Sequence, residues 1–419
     1  MRKYSSHQLR VLLCRGSVTL FSYAALIKFV HAMNFSRIRK FRFERPQQFA
    51  ALLLLMLLSQ CLWVIHHQTL TDRDYQFARC GREMWERPSP LAGYFTSCGN
   101  IHDGTLGYRA AGLPLTVQRI LAGESAETST WEARHQLSFI LLLTRLSFVL
   151  AGLALGGALW WVTRRLYGNE GGLVALALYC FSPDIVRACT TANNEILAAL
   201  GLYAAVYTAI GVAHAMQGPR HKWRPRLILL TATLGFTAAA HVAAVLVAFL
   251  FAFVFLAYLA EGRRAYVIPI LMITSLGTLL LLFASYAFHP DAFSYVFRSG
   301  VARISLSFLP AHLFFSKVLN SGISLAAAAA LALYLVMKPA RYFGNTAPLL
   351  VTLPLLVMVT TGVQAQPWLW ALPFLVTFVA GVFADVLESR HRRIFLFATG
   401  SVLLCQAVFS VAGLPLLTR

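Results

Sequence analysis

The chain has 419 residues, 58% hydrophobic and only 12% charged, against about 25% charged residues in a typical soluble domain. A soluble core of this size does not hide that much apolar surface, so the composition calls for a bilayer as solvent. The formal charge of +20 does not imply a nucleic-acid partner, because the basic residues fall in short loops between apolar runs, where the positive-inside rule places them.

The first apolar stretch, Val11 to Met33, is interrupted by Arg15 and Lys28 and lacks the small-residue cleavage site of a signal peptide. Met33 is an alternative start. Arg37, Arg39, Lys40, Arg42 and Arg45 follow, interleaved with Phe35, Phe41 and Phe43, a pattern expected of an interfacial helix on an anionic inner leaflet. Residues 1–48 are therefore expected to form a basic cytoplasmic N-terminus ahead of a transmembrane domain over 49–419.

From Phe49 onward about eleven apolar runs follow, most near the length needed to cross about 30 Å of hydrocarbon. They are 49–65, 137–161, 171–181, 196–214, 227–240, 242–259, 267–288, 319–337, 347–363, 368–385 and 394–411. Taken as one helix, 227–259 would be about 50 Å long, too long even for a tilted span. A break near His241 returns Glu261-Gly262-Arg263-Arg264 to the basic side. Arg164/Arg165, Arg220 to Arg226, Arg263/Arg264, Lys338/Arg341 and Arg390 to Arg393 then share one face, which is the cytoplasmic one. The polar stretch 66–135 faces outward, to a periplasm, a lumen or the exterior. The expected fold is an all-α polytopic membrane protein with a large outward first loop.

Of seven cysteines, Cys14, Cys61, Cys180 and Cys405 lie in apolar segments and Cys189 in a short loop. Cys80 and Cys98 share the polar loop, where an oxidising compartment would allow them to pair. No Cys/His spacing suggests zinc.

Eight of the 16 acidic residues lie in the polar loop: Asp72, Asp74, Glu83, Glu86, Asp103, Glu124, Glu127 and Glu132. Asp184, Glu195 and Asp291 fall in the other outward loops. Asp72-Arg73-Asp74 lies just after the first span, at the depth where a lipid-borne substrate presents its phosphate. A carboxylate there can accept a proton from an attacking hydroxyl, and two carboxylates spaced i, i+2 can hold a divalent cation against a phosphate. The structural alternative is a helix cap, for which Thr71 and Asp72 are both suited.

The order of features resembles the GT-C superfamily of membrane glycosyltransferases, which includes the protein mannosyltransferases and the lipid A aminoarabinose transferases. Asp72-Arg73-Asp74-Tyr75 followed by Arg82-Glu83-Met84 is similar to that family's acidic opening of the first outward loop. Aligned on Arg82-Glu83-Met84, Asp74 meets the family's second acid; aligned on the acidic pair and Tyr75, Asp72 is favoured. Thr144-Arg145-Leu146, then Arg164-Arg165-Leu166-Tyr167-Gly168, then Phe181-Ser182-Pro183 are similar to its second and third spans. An arginine inside a span, as Arg145 is, marks an ion pair or a functional group. Where the family has an aspartate opening the fourth span, this chain has Asn193 or Asn194 beside Glu195. His241 lies in a hairpin where the family often has lysine. The family's late arginine is missing from Gln364-Ala365-Gln366-Pro367-Trp368.

The resemblance implies sugar transfer from a polyprenyl-phosphate donor to a hydroxyl on an acceptor glycan, lipid or protein, with a membrane lipid as carrier. It implies Asp74, with Asp72, as the base. The donor and its phosphate would be held by Tyr75, Arg82, Glu83, Asp103, Arg145, Arg187, Glu195, His241, Arg298 and Arg303, with Lys317 as a further cation. Residues 289–317, rich in Phe293, Tyr295 and Phe297, are expected to form a lid. No cofactor is obligatory, although the Asp72/Asp74 spacing suits a divalent cation. The expected location is a bacterial inner membrane. The rival expectations are a transporter or flippase, which calls for charged or broken helices at mid-membrane, and a non-catalytic family member.

Overall fold

The computed structural model describes residues 45–86, 104–122, 137–218, 220–286, 288, 290, 294, 304–306, 320–336, 342–360, 367–388 and 392–418. The chain divides into two units, 1–48 and 49–419. Of the first, residues 45–48 are described, the opening turn of a helix. The basic and aromatic patch ahead of it, the stretch 11–33 and most of the proposed lid lie outside the described residues.

The protein is an all-α polytopic membrane protein. Its helices are α1 (Arg45–His67), α2 (Asp72–Glu86), α3 (Leu106–Ala122), α4 (Leu137–Cys180), α5 (Pro183–Thr190), α6 (Glu195–Met216), α7 (Arg220–Ala240) and α8 (Val242–Leu259). After them come α9 (Val267–Ser285), α10 (Ser321–Val336), α11 (Tyr342–Val357), α12 (Pro367–Leu387), α13 (Arg392–Ala412) and α14 (Leu414–Leu417). Among the described residues seven helices are long and apolar enough to cross a membrane, and two shorter apolar ones, 321–336 and 344–357, accompany them.

Burial grades the helices. The apolar window of α12 is 94% buried and that of α13 only 11%. A helix apolar on all sides must be enclosed by protein or by lipid. Here α12 is enclosed by protein, packed against α4, α6, α10, α11 and α13, while α13 presents Phe397, Leu404 and Val408 outward. A second nest is centred on α6, which packs against α4, α7, α8 and α12.

One expectation about a span end is corrected, and two breaks stand close to where the sequence places them. The runs 137–161 and 171–181 are two helical segments that meet at Gly168, whose φ of 81° and ψ of −174° kink the stretch labelled α4. Only glycine adopts that conformation without strain. The intervening arginines stay helical: the Arg164 guanidinium lies over the Trp160 ring at 5.2 Å, and Arg165 over Trp161 at 5.5 Å. The helix within 347–363 stops at Val357. There the chain turns extended, and Met358–Thr360 (β2) pairs antiparallel with Ile304–Leu306 (β1). The break at His241 stands where the length argument puts it, with φ −156° and ψ 121° between α7 and α8.

The polar loop contributes α2 and α3, which pack against each other and against α4. Glycine makes the α2–α3 crossing close. A Cβ at Gly81 would overlap the Tyr108 carbonyl oxygen and the Gly112 backbone nitrogen, and one at Gly112 would overlap the Gly81 carbonyl. Beside the crossing Phe77 stacks on Tyr108 with centroids 4.0 Å apart. Further along, Glu86 receives Arg82 at 3.3 Å and Arg119 at 3.2 Å, with Thr116 donating at 3.2 Å. Trp85 Nε1 donates to the Arg109 carbonyl at 2.8 Å. The pair is fixed to the bundle by Arg109, whose guanidinium donates to the Ser285 carbonyl at the end of α9. Cys80 is buried and disulfide-bonded, its partner lying outside the described residues.

Candidate active site

The start of α2 is tied down by local chemistry first. Thr71 and Asp74 form a reciprocal capping box: Asp74 N donates to Thr71 Oγ1 at 3.2 Å, and Thr71 N donates back to Asp74 Oδ2 at 3.1 Å. The Thr71 hydroxyl also donates to Oδ2, at 2.6 Å. The same carboxylate then makes the long-range contacts. Arg145, in α4, donates from Nη2 to Oδ2 at 2.6 Å and from Nε to Oδ1 at 3.2 Å. Ala192 N donates to Oδ1 at 3.2 Å. Asp74 and Arg145 are each only 1% exposed.

Among the described residues five hydrogen bonds therefore converge on the Asp74 carboxylate. Burial pushes its pKa up, but the Arg145 and Thr71 hydrogen bonds and the Arg145 charge outweigh that, and the net shift is below the ordinary value of 3.8. Such a carboxylate is a poor proton acceptor and an excellent joint. It locks α2 to α4 and to the turn that opens α6. Arg145 extends the joint, donating from Nη1 to Gln68 Oε1 at 2.5 Å, while Gln68 Nε2 donates to the Leu417 carbonyl at 2.7 Å. A cation held between Asp72 and Asp74 would have to displace Arg145.

Asp72 sits two residues earlier, in the first turn of the same helix, and is exposed, as is Tyr75. The acidic pair is thus divided: one carboxylate is sealed and holds the turn, and the other is presented by it.

The turn that receives Asp74 is 191–194, between α5 and α6. Its Asn193 side chain accepts from Glu195 N at 3.0 Å. Asn194 Nδ2 donates to the Gly104 carbonyl at 2.9 Å, bringing in the start of α3. Arg187 is the one exposed residue of α5, whose other residues are all buried, so a guanidinium projects one turn before this hairpin. Glu195, buried, accepts the Trp370 indole N–H at 2.8 Å. His241 is buried too; its Nδ1 accepts from Ala243 N at 3.2 Å and caps α8. Its ring meets Trp370 edge-on, with centroids 5.0 Å apart.

Asp72, Asp74, Arg145, Glu195 and His241 are therefore joined at one end of the bundle. Arg82 and Glu83 are not with them. They lie about 12 Å further along α2 at 1.5 Å per residue, buried, with Arg82 paired to Glu86 and Glu83 to Arg79 at 3.6 Å. Asp103, Arg298, Arg303 and Lys317 lie outside the described residues. Among the described residues no group of three or more His, Cys, Asp or Glu side chains is placed to hold a metal ion. Gln68 and Trp370 are the residues the sequence reading passed over, while Thr71 was read as a helix cap and is one. Thr71-x-x-Asp74 is a capping-box signature and was visible as such. Trp370, inside an apolar run, carried no signal.

Beneath Gln68, on the flank of the bundle, an apolar cavity of about 760 Å³ opens between α1 and α13, lined by Met56, Trp63, Phe181, Val408, Val411 and Leu414. Trp63 stacks on His67 with centroids 4.2 Å apart at the upper end of α1.

No protein-family model matches the chain, and no curated protein does. Solved structures do match. ArnT from Cupriavidus metallidurans superposes with a TM-score of 0.57 at 14% identity, over 86% of this chain and 64% of that one. The oligosaccharyltransferase AglB from Archaeoglobus fulgidus, in complex with an inhibitory peptide and a dolichol-phosphate, gives 0.50 at 10% identity, over 87% of this chain and 55% of that one. A second A. fulgidus oligosaccharyltransferase structure, with zinc and sulfate, gives 0.50 at 13% identity, over 86% and 53%. The chain thus spans less than two thirds of the length of the proteins it resembles. The GT-C-like fold expected from the sequence is borne out.

Proposed function

We propose that this protein is a GT-C-type glycosyltransferase that moves a sugar from a polyprenyl-phosphate donor to an acceptor hydroxyl, at the end of the bundle where Asp72 projects. The observation that carries the reading is the division of labour in the acidic pair. Five hydrogen bonds immobilise Asp74, and the turn they fix presents Asp72 to solvent. Preorganised presentation of a single carboxylate is what a general base requires.

In the reaction Asp72 takes the proton of the acceptor hydroxyl as its oxygen attacks the anomeric carbon. The bond from that carbon to the phosphate oxygen breaks with inversion, and the phosphate leaves with the electron pair. A phosphate leaving group needs no second acid, unlike the alkoxide of a glycosidase. Arg187 is the exposed cation nearest in sequence to the hairpin, and its guanidinium suits the departing phosphate. Asp74 and Arg145 act as positioning residues.

The lipid character of the donor is supported by the fold. AglB, one of the proteins it resembles, is in complex with a dolichol-phosphate, and the apolar cavity between α1 and α13 offers a seat of about 760 Å³ for a chain. The basic residues Arg164, Arg165, Arg224, Arg226, Arg263 and Arg264 argue by the positive-inside rule for an inward opposite face. Asp72 then faces outward, to a periplasm if the membrane is a bacterial inner one. The acceptor class is a glycan, a lipid or a protein.

The test is transfer by protein reconstituted with polyprenyl-phosphate sugars. Asp72→Asn is expected to lower turnover by about 100-fold or more, the usual contribution of a general base, with thermal stability unchanged. Asp74→Asn is expected to lower turnover and stability together. Full turnover in Asp72→Asn would end the proposal.

A further inference from the structure

We infer that Trp370 is a positioning residue of this site, acting through its indole N–H on Glu195 and through Glu195 on the hairpin that holds Asp74. The inference rests on the glycosyl-transfer reading above.

Trp370 is fully buried, one turn into α12. Its ring touches the cap of α8, at His241, and its N–H reaches the first residue of α6, at Glu195 Oε2, 2.8 Å away. Buried indoles usually find an acceptor, and a carbonyl or hydroxyl serves for that. A carboxylate acceptor makes the bond charge-assisted, and so stronger and more directional. The contact is passed on by short links. Glu195 N donates to the Asn193 side chain at 3.0 Å, and in the same turn Ala192 N donates to Asp74 Oδ1 at 3.2 Å. Asp74 in turn fixes the helix start that presents Asp72. One indole therefore registers α12, the most buried of the candidate spans among the described residues, against the two carboxylates at the start of α2.

A core tryptophan that only fills space would do so through its ring. Phenylalanine keeps most of that ring and removes the N–H, so Trp370→Phe separates the two roles. In reconstituted protein, screened first as wild type against a panel of polyprenyl-phosphate hexoses and pentoses, Trp370→Phe is expected to lower kcat by up to about 100-fold, the scale of a 1 Å misplacement. KM for the donor is expected to stay within about twofold, because a displaced reacting group lowers kcat and kcat/KM together.

Trp370→His, which restores a ring N–H donor, is expected to recover part of the loss. Glu195→Gln keeps an acceptor for the indole and so preserves the packing; it is expected to lower kcat likewise, and the double variant Trp370→Phe/Glu195→Gln to be no worse than the poorer single one. Unchanged kcat in folded Trp370→Phe overturns the inference, as does unchanged kcat in Glu195→Gln should the tryptophan variants fail to fold. Additive losses in the double variant overturn it too. A wild type that turns over no donor sinks the glycosyl-transfer reading and this inference with it; an active wild type matched by Trp370→Phe sinks this inference alone.

Discussion

Replacing Arg145 by alanine is expected to destabilise the protein by about 3–5 kcal/mol, the usual result of stranding one member of a buried ion pair. The loss should appear as a large drop in the unfolding temperature in detergent and as new proteolysis at α2. The cause is the carboxylate left behind. Asp74 keeps Thr71 and Ala192 as donors but loses the cation that makes its burial tolerable. The double variant Arg145→Ala/Asp74→Leu is therefore expected to be more stable than Arg145→Ala alone, although it lacks both partners. A double variant that is worse would show that hydrogen-bond geometry, not stranded charge, governs the joint. The acid response has a fixed sign. The folded pKa of Asp74 lies below its ordinary 3.8, so the stability it contributes is complete above that value and declines as pH falls through the lower, folded one. Arg145→Ala should shrink or remove that acid-side loss.

The second large effect falls on Gly81. In an open helix, glycine to alanine gains up to about 1 kcal/mol from propensity. At Gly81 the sign reverses, because the new Cβ would overlap backbone atoms of Tyr108 and Gly112, and backbone cannot rotate aside as a flexible side chain can. Overpacking of this kind costs about 1–3 kcal/mol, and Gly81→Val should sit at the top of that range. The displacement would separate α2 from α3 and turn the Asp72 end of α2 with it, so activity should fall more steeply than stability. Gly157→Ala is the control. Nothing lies within 4 Å of a Cβ at Gly157, so the melting temperature should hold or rise slightly and turnover should be unchanged. Equal losses at both positions would mean that the close crossing carries no special energy.

The helices were legible because a bilayer leaves the backbone little choice: an apolar run long enough to cross must satisfy its own hydrogen bonds. The break at His241 followed from length and from the parity that keeps the basic loops on one face. The break between 137–161 and 171–181 was legible too, and it falls at Gly168; that Arg164 and Arg165 stay helical ahead of it was not, since paired arginines after an apolar run read as a loop. What keeps them helical is a contact between each and the tryptophan four residues before it, a favourable spacing on a helix. The short β1–β2 pairing was hidden for a different reason: its two strands lie far apart in sequence. The site was legible by location and only partly by role. Acids at the start of the polar loop drew attention to the turn at which Asp74 meets Arg145 and Ala192. Which of the two is buried depends on Arg145, 71 residues away from Asp74, and no local pattern carries that. Arg82 and Glu83 show the opposite failure. They match a motif, yet they lie down the helix from Asp74, in ion pairs with Arg79 and Glu86 inside α2 itself.

The central position of α12 also bears on how the protein comes into being. Among the helices α12 packs against, α4 and α6 leave the ribosome early. They must wait in the lipid with their mutual face unfilled until residue 387 has been made. The indole that reaches Glu195 arrives with that same late helix. A nascent chain therefore stays without a finished site through most of its synthesis, and a truncation before Pro367 removes the bundle's core along with the last residues that order its chemistry.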